Sequence, residues 1–179
     1  MGQSKQLLLI HGKPLLQKIV EELIAANTGE VIVVLGANIE SHKKIILDYP
    51  VRIIENDHWQ SGMGSSIKIG LRFIQDQIPK SEAVIISVCD QPHLTSTHII
   101  EIAHTYSKNK KSIIASTYKE TLGVPILFDK IHFESLSKIQ DNEGAKKVIQ
   151  QNLTNVASVP FPLGDIDLDT IKDYNTFNQ

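Results

Sequence analysis

The sequence predicts an α/β sandwich around a mostly parallel sheet, and three observations carry that prediction. From residue 14 onward, apolar residues at helical spacing alternate with short β-branched runs, the rhythm of βα units. The runs at Val31–Leu35 and Ala83–Val88 are continuously apolar, as expected of strands covered on both faces. A length of 179 residues, with 41% hydrophobic and 21% charged, fits one globular domain over residues 1–179 with a sizeable core.

The elements follow in order. Pro14 stands where a helix starts, Leu15, Leu16, Ile19, Val20, Leu23 and Ile24 recur at helical spacing, and Asn27-Thr28-Gly29 stops them. Residues 30–35 read as a fully buried strand. Gly36-Ala37-Asn38 then turns into a helix running to about Tyr49, and Val51 to Glu55 forms the next strand. Asn56 to Gly64 reads as a loop that enters a helix at Ser65 or Ser66. Ala83 to Val88 is another buried strand, and Thr95 or Ser96 caps the helix after it. Ile113–Ser116 and Val124–Phe128 are strands around a Gly-containing turn. Helical segments near 129–136 and 143–151, a strand at 156–160 and a last helix over 170–177 complete the chain.

Composition excludes several classes. A formal net charge of -2 speaks against a nucleic-acid partner, which calls for a broad basic face, and leaves a small anionic substrate open. The apolar runs are too short to cross a bilayer and no basic leader precedes one, so the expected location is the cytoplasm with no membrane partner. The single cysteine, Cys89, has no partner for an internal disulfide.

Three stretches carry chemistry. Asp90, in Cys89-Asp90-Gln91-Pro92, follows a strand directly, and the carboxyl ends of strands are where open α/β sheets place ligands. It is a site candidate or, alternatively, a cap for the next helix. Asp165-Ile166-Asp167-Leu168-Asp169-Thr170 alternates carboxylates toward one side, an oxygen-only donor set that suits Mg²⁺, unless Asp169 or Thr170 merely caps the last helix. Gly62-Met63-Gly64-Ser65-Ser66 precedes a helical run and offers free backbone N–H groups at a positive helix end, either a phosphate or base cradle or an ordinary capped loop. Lys5 is a candidate point charge for phosphate, and Trp59 either stacks on a base or anchors its loop. His93, His98 and His104 read as surface or capping residues, not a zinc site, and no nucleophile elbow occurs.

These segments together resemble the MobA-like nucleotidyltransferase family over essentially the whole chain, specifically its molybdopterin cytidylyltransferase branch. Met1-Gly2-Gln3-Ser4-Lys5 is similar to the tail of the family's L-A-A-G-x-S-x-R-M-G-x-x-K loop, followed by Gln6-Leu7-Leu8. Asn56-x-x-Trp59-x-x-Gly62-Met63-Gly64-Ser65-Ser66 resembles N-x-x-W-x-x-G-M-x-S-S, and Asp90-Gln91-Pro92 the D-Q-P metal motif. Gly123-Val124-Pro125-Ile126-Leu127-Phe128 looks like the G-x-P-x-L-F segment near the acceptor. Asn142 to Lys146 is similar to D-x-G-A-R with Asn for Asp and Lys for Arg, and Asp167 to Tyr174 to D-I-D-T-P-E-D-Y with Ile171 and Lys172 substituted. The resemblance implies a Rossmann-like three-layer sandwich of the nucleotide-diphospho-sugar transferase kind, and an N-terminal strand and loop of which this sequence carries the tail.

It further implies Asp90, Asp167 and Asp169 as ligands of Mg²⁺, and Lys5 with Asp90 as the catalytic pair. Gly2, Lys5, Asn56, Gly62, Met63, Ser65 and Ser66 would meet the nucleotide, Asn56 by supporting its loop. The implied reaction transfers CMP from CTP, or a nucleotide from another NTP, to molybdopterin or molybdenum cofactor with release of pyrophosphate. An ionised acceptor phosphate attacks in line, so positioning and charge neutralisation supply most of the acceleration. Two alternatives stand beside it: transfer to another phosphorylated acceptor such as a sugar phosphate, and a non-catalytic accessory protein that hands the cofactor to a molybdenum hydroxylase such as xanthine dehydrogenase.

Overall fold

The structure is a computed structural model that describes residues 4–166. A 3-10 turn at Lys5–Leu7 leads into a short hairpin, β1 (Leu9–Ile10) and β2 (Lys13–Pro14), which has no counterpart in the sequence reading. His11 and Gly12 both take positive φ, 50° and 83°, as a two-residue hairpin turn requires. Helix α1 (Leu15–Ala26) starts after Pro14 and stops at Asn27, whose left-handed φ of 49° ends it where the sequence predicts. Strand β3 (Val31–Leu35), helix α2 (Ile39–Ile46) and strand β4 (Val51–Glu55) follow, α2 ending three residues before Tyr49 in an exposed turn at Leu47.

Helix α3 (Met63–Gln77) begins earlier than expected, so Gly64, Ser65 and Ser66 lie in its first turn and not ahead of it. Strand β5 (Ala83–Ile86) is shorter than the apolar run that encodes it. Helix α4 (Ser96–Lys108) is capped by Thr95, whose Oγ1 accepts from the His98 N–H at 3.4 Å. The strands β6 (Ile113–Tyr118) and β7 (Thr121–Asp129) form a hairpin whose turn is Lys119-Glu120, not a glycine. Both residues sit at positive φ, 46° and 59°, and Gly123 lies inside β7, where a Cβ would collide with the Tyr118 ring. Helices α5 (Phe133–Ser137) and α6 (Lys146–Gln151) and strand β8 (Val156–Pro160) complete the described chain. The predicted helix over 170–177 lies outside the described residues.

β3 pairs with β4 in parallel, and β5, β7, β6 and β8 lie in that order. β6 and β8 are also parallel, while β7 runs antiparallel between β5 and β6. Helices cover both faces. Ile113, Ala115, Ile126 and Phe128 point to a core with Leu71 and Ile74 of α3, Leu136 of α5 and Ile149 of α6. Ile114 and Leu127, one residue out of phase, point to the opposite face and meet Ile102 of α4. On that same face Leu15 and Ile19 of α1 pack with Ile99, and Leu16 and Val20 of α1 with Leu35 and Ile46.

One expectation needs correction. The apolar runs of β3 and β5 read as fully buried strands, yet every described residue of both except Leu35 is only half-buried. The faces of these strands are covered, but β3 pairs only with β4 and β5 only with β7 among the described residues. Their other edges open onto one apolar cavity of about 1070 Å³ that both strands line along their whole length. No helix among the described residues is long and apolar enough to cross a membrane.

Candidate active site

Asp90 sits in the turn beyond the carboxyl end of β5, four residues after Ile86. The alternative reading of this residue as a helix cap is excluded, because Thr95 occupies the N-cap of α4 and the Ser96 N–H donates to Glu22 Oε2 at 2.7 Å. Lys5 Nζ lies 2.8 Å from Asp90 Oδ2, with the two side chains 30% and 27% exposed. A pair so open to water contributes little to stability, of order 0–1 kcal/mol, so its groups are available to a charged ligand. The neighbouring thiol is of another kind. Burial, reinforced by the Asp90 charge, pushes Cys89 up to about 12, which keeps the thiol protonated at neutral pH and argues against a thiolate nucleophile.

The loop from Asn56 to Ser66 forms the facing wall. Asn56 is 1% exposed, and its Nδ2 donates to the hydroxyls of Ser65 and Ser66, both at 2.9 Å, while its Oδ1 accepts from the His58 N–H at 3.0 Å. All these contacts are internal to the loop, so Asn56 and the buried Ser65 act beneath the surface. Gly62, with φ 124°, turns the chain into α3. Trp59 anchors the loop by packing its Cβ on Gly36, where a side chain would approach to 2.4 Å, and leaves the residue 43% exposed.

The predicted cradle of free N–H groups is only partly available. The Gly64 N–H donates to Asp141 O at 2.8 Å and the Ser65 N–H to Gly62 O at 3.2 Å. The segment after α5 therefore packs on the glycines, so closely that a Cβ on Gly64 would stand 2.2 Å from Gln140 O. Lys68 fastens it with an ion pair to Asp141 at 2.5 Å, which holds that carboxyl below its usual range. Asn142 and Glu143, in the segment similar to D-x-G-A-R, join this brace, since a Cβ on Gly62 would stand 2.8 Å from Asn142 Cα and one on Gly64 2.8 Å from Glu143 O.

The structure brings Lys5, Asp90, Gly62, Met63 and Ser66 to the lining of a single cavity. Asn56 and Ser65 stand outside that lining. Gly2, Asp167 and Asp169 lie outside the described residues. Asp165 pairs with Lys119 of the β6–β7 turn at 2.5 Å, which lowers its carboxyl. Among the described residues no three His, Cys, Asp or Glu side chains cluster as a metal site. Asp90 alone remains, and one or two carboxylates with substrate phosphates and waters are the donor set Mg²⁺ takes. His98 departs from expectation: it is buried, stacked on Phe161 at 4.4 Å, with Nε2 2.8 Å from Ser116 Oγ. Sequence reasoning also passed over Gln91, whose place inside the Asp90-Gln91-Pro92 motif was the available signal.

A model of the MobA-like NTP transferase domain matches residues 1–156. The chain belongs to the MobA-like NTP transferase family. As a family member it is a nucleotidyltransferase, and its α/β architecture agrees with those of solved structures. It is similar to the Mycobacterium tuberculosis H37Rv protein Rv0371c, solved as a complex with manganese, at 18% identity and TM-score 0.81 over 97% of this chain and 90% of that one. It is similar to a nucleotidyl transferase from Methanothermobacter at 17% identity and TM-score 0.79, covering 97% and 83% of the two chains. Molybdopterin-guanine dinucleotide biosynthesis protein A from Archaeoglobus fulgidus shares the fold at 14% identity and TM-score 0.65, over 99% and 90%. By sequence, nicotine blue oxidoreductase of Paenarthrobacter nicotinovorans is 32% identical over 95 residues, 53% of this chain and 45% of that relative, so the match spans less than half the relative's length.

Proposed function

We propose that this nucleotidyltransferase transfers CMP from CTP to molybdopterin or molybdenum cofactor, releasing pyrophosphate, in a Mg²⁺-dependent reaction. The observation that carries the reading is the Lys5–Asp90 pair at 2.8 Å, half-exposed at the carboxyl end of β5 and lining the same cavity as the Gly62–Ser66 turn. Lys5 supplies a mobile ammonium for phosphate oxygens, leaving Asp90 when a nucleotide arrives. Asp90 offers carboxylate oxygens to the cation, and Asp167 and Asp169 are the proposed further ligands. When bound, Mg²⁺ neutralises charge on the transferring phosphate and the leaving pyrophosphate. Gly62, Met63 and Ser66 face base and ribose, with Asn56 and Ser65 fixing that turn from beneath; Gly2 is a proposed contact to the phosphates. The solved relative bound to manganese and the molybdopterin-guanine dinucleotide protein that shares this fold support a divalent cation and a pterin acceptor.

The test is pyrophosphate release from CTP, and from GTP in parallel, with Mg²⁺ and molybdenum cofactor. CTP-dependent release that Asp90→Asn abolishes is expected. Release with GTP alone, or with a sugar phosphate as acceptor, would replace the substrate assignment, and cofactor binding without any release would replace it by the accessory role beside a molybdenum hydroxylase.

A further inference from the structure

Of the large apolar side chains left exposed among the described residues, two line the cavity that receives Lys5 and Asp90: Trp59 at 43% and Met63 at 55% exposure. Single exposed apolar residues are ordinary on a protein surface, whereas clustered ones mark binding sites. Trp59 opens a 3-10 turn, Trp59–Ser61, whose backbone is fastened on both sides. Its N–H donates to Asn56 O and its own O accepts from the Gly62 N–H, both at 3.2 Å. The indole is seated by its root: a Cβ on Gly36, just after β3, would stand 2.4 Å from Trp59 Cβ, 2.7 Å from Cγ and 3.3 Å from Cδ1. Gly36 lies outside the left-handed φ region, so this contact, and not the backbone, calls for a glycine there. A ring held at its root, with only two χ angles, is a rigid surface that a ligand covers at low entropic cost.

The seat of this ring is tied to the cation. His42 of α2 is 4% exposed, with Nε2 2.7 Å from Ser4 Oγ and a hydrogen bond to the backbone of Ala37. Ser4 precedes Lys5 and Ala37 follows Gly36, so one buried side chain joins the Lys5 turn to the seat of Trp59. Ser4, Gly36, Ala37 and His42 line the same cavity as the ring. An ammonium, a carboxylate and an aromatic surface therefore share one cavity. That combination fits a ligand with phosphate at one end and a planar ring at the other. A bare phosphate has no use for the ring, and an apolar molecule none for the charges.

We infer that Trp59 is the ring platform of the site: a planar heteroaromatic ring of a substrate, the cytosine of the nucleotide or the pterin of the acceptor, stacks on its indole. The inference deepens the proposed function and rests on its assignment of phosphorylated, ring-bearing substrates to this cavity. Stacking on an aromatic side chain needs only a π-face and is made alike before and during phosphoryl transfer, so Trp59 contributes affinity and leaves the chemical step to Lys5 and Asp90. Trp59→Leu keeps an apolar side chain on Gly36 and removes the ring; Trp59→Phe keeps a smaller ring.

The chain holds a single tryptophan, so its fluorescence reports this residue alone. The full chain is titrated with CTP, with 6-hydroxymethylpterin and with inorganic triphosphate, each in the presence of Mg²⁺. Saturable quenching is expected with CTP or the pterin and none with triphosphate, which has no ring. Quenching by CTP assigns the platform to the base, and quenching by the pterin assigns it to the acceptor. By calorimetry Trp59→Leu should weaken binding of that ligand about 5- to 150-fold, the range for loss of one stacked base, with triphosphate binding unchanged and Trp59→Phe keeping most of the affinity. In turnover the KM of the stacked substrate should rise with kcat kept. Quenching by neither ring, equal quenching by triphosphate, or unchanged affinity in Trp59→Leu overturns the inference. Should Trp59→Leu fail to fold, acrylamide quenching of the unmutated chain carries the test: CTP or the pterin should shield Trp59 severalfold, and absence of shielding overturns the inference equally. A full chain that binds CTP with quenching but releases no pyrophosphate sinks the transferase reading and leaves the role of Trp59 standing.

Discussion

Strands β3 and β6 are written in nearly the same alphabet, Val31-Ile32-Val33-Val34-Leu35 against Ile113-Ile114-Ala115, yet they end in different surroundings. Ile113, Ile114 and Ala115 are each 0% exposed, while the first four residues of β3 are half-buried. β6 is flanked by β7 and β8 and covered on both faces; β3 has β4 on one side and a cavity on the other. Hydrophobicity reports whether the faces of a strand are covered and is silent about its edges. The candidate site straddles this division. Lys5 and Asp90 sit at the open cavity, whereas Gln91, β7 and the 161–166 turn belong to the tightly packed half.

The sharpest way to break this comparison is to make the same deletion in both halves. Ile114→Ala should cost about 2–5 kcal/mol, as for a large aliphatic side chain removed from a closed core, and Ile32→Ala clearly less. Equal losses in denaturant titrations would mean that the cavity beside β3 is closed in solution.

A smaller effect tests the brace between the two segments of the site. Gly64→Ala forces a Cβ to 2.2 Å from the Gln140 carbonyl, backbone that cannot simply swing away. A loss of about 1–3 kcal/mol is expected, with weaker nucleotide binding as Asp141 is pushed off the turn. Gly29→Ala, with nothing within 4 Å, is the control and should leave melting and CTP titration unchanged.

The smallest effect is a pH dependence lodged in the packed half. Ser116 donates its hydroxyl hydrogen to Pro125 O at 2.8 Å, so His98 Nε2–H is the donor in the contact with Ser116. Burial lowers the pKa of His98, and likewise of His132, from an ordinary value of 6.5. Both are held neutral in the fold, so their contribution is complete well above pH 6.5 and is lost as pH falls through that value toward the depressed folded one. His98→Gln should flatten the stability profile between about pH 7 and 5. An unchanged slope would show that His98 charges freely and that its pocket is wetter than it looks.

Much of this was legible in the residues themselves. Helix α1 begins and ends where Pro14 and Asn27 say it should, and the strands at 51–55 and 156–160 match their apolar runs. Those signals are local: a period of 3.6 or 2, a fixed φ, a residue tolerant of left-handed backbone. The β6–β7 turn escaped because Lys119 and Glu120 take a conformation usually left to glycine or asparagine. The start of α3 was misread because Gly62-Met63-Gly64 looks like loop, while the glycines serve close backbone packing on the Asp141 segment.

By itself the sequence determined the order of the elements from α1 to β8, the placing of Asp90 just beyond a strand, and the motifs that mark a MobA-like transferase. Only the tertiary structure decided that Lys5 reaches Asp90 across 85 positions, and that Gln91 ties Asp90 to a turn 73 residues further on. It alone decided which strand edges are closed. The reason is one of range: periodicity and capping act between residues a few positions apart, whereas edges, ion pairs and buried amides are completed by partners that folding brings from elsewhere in the chain.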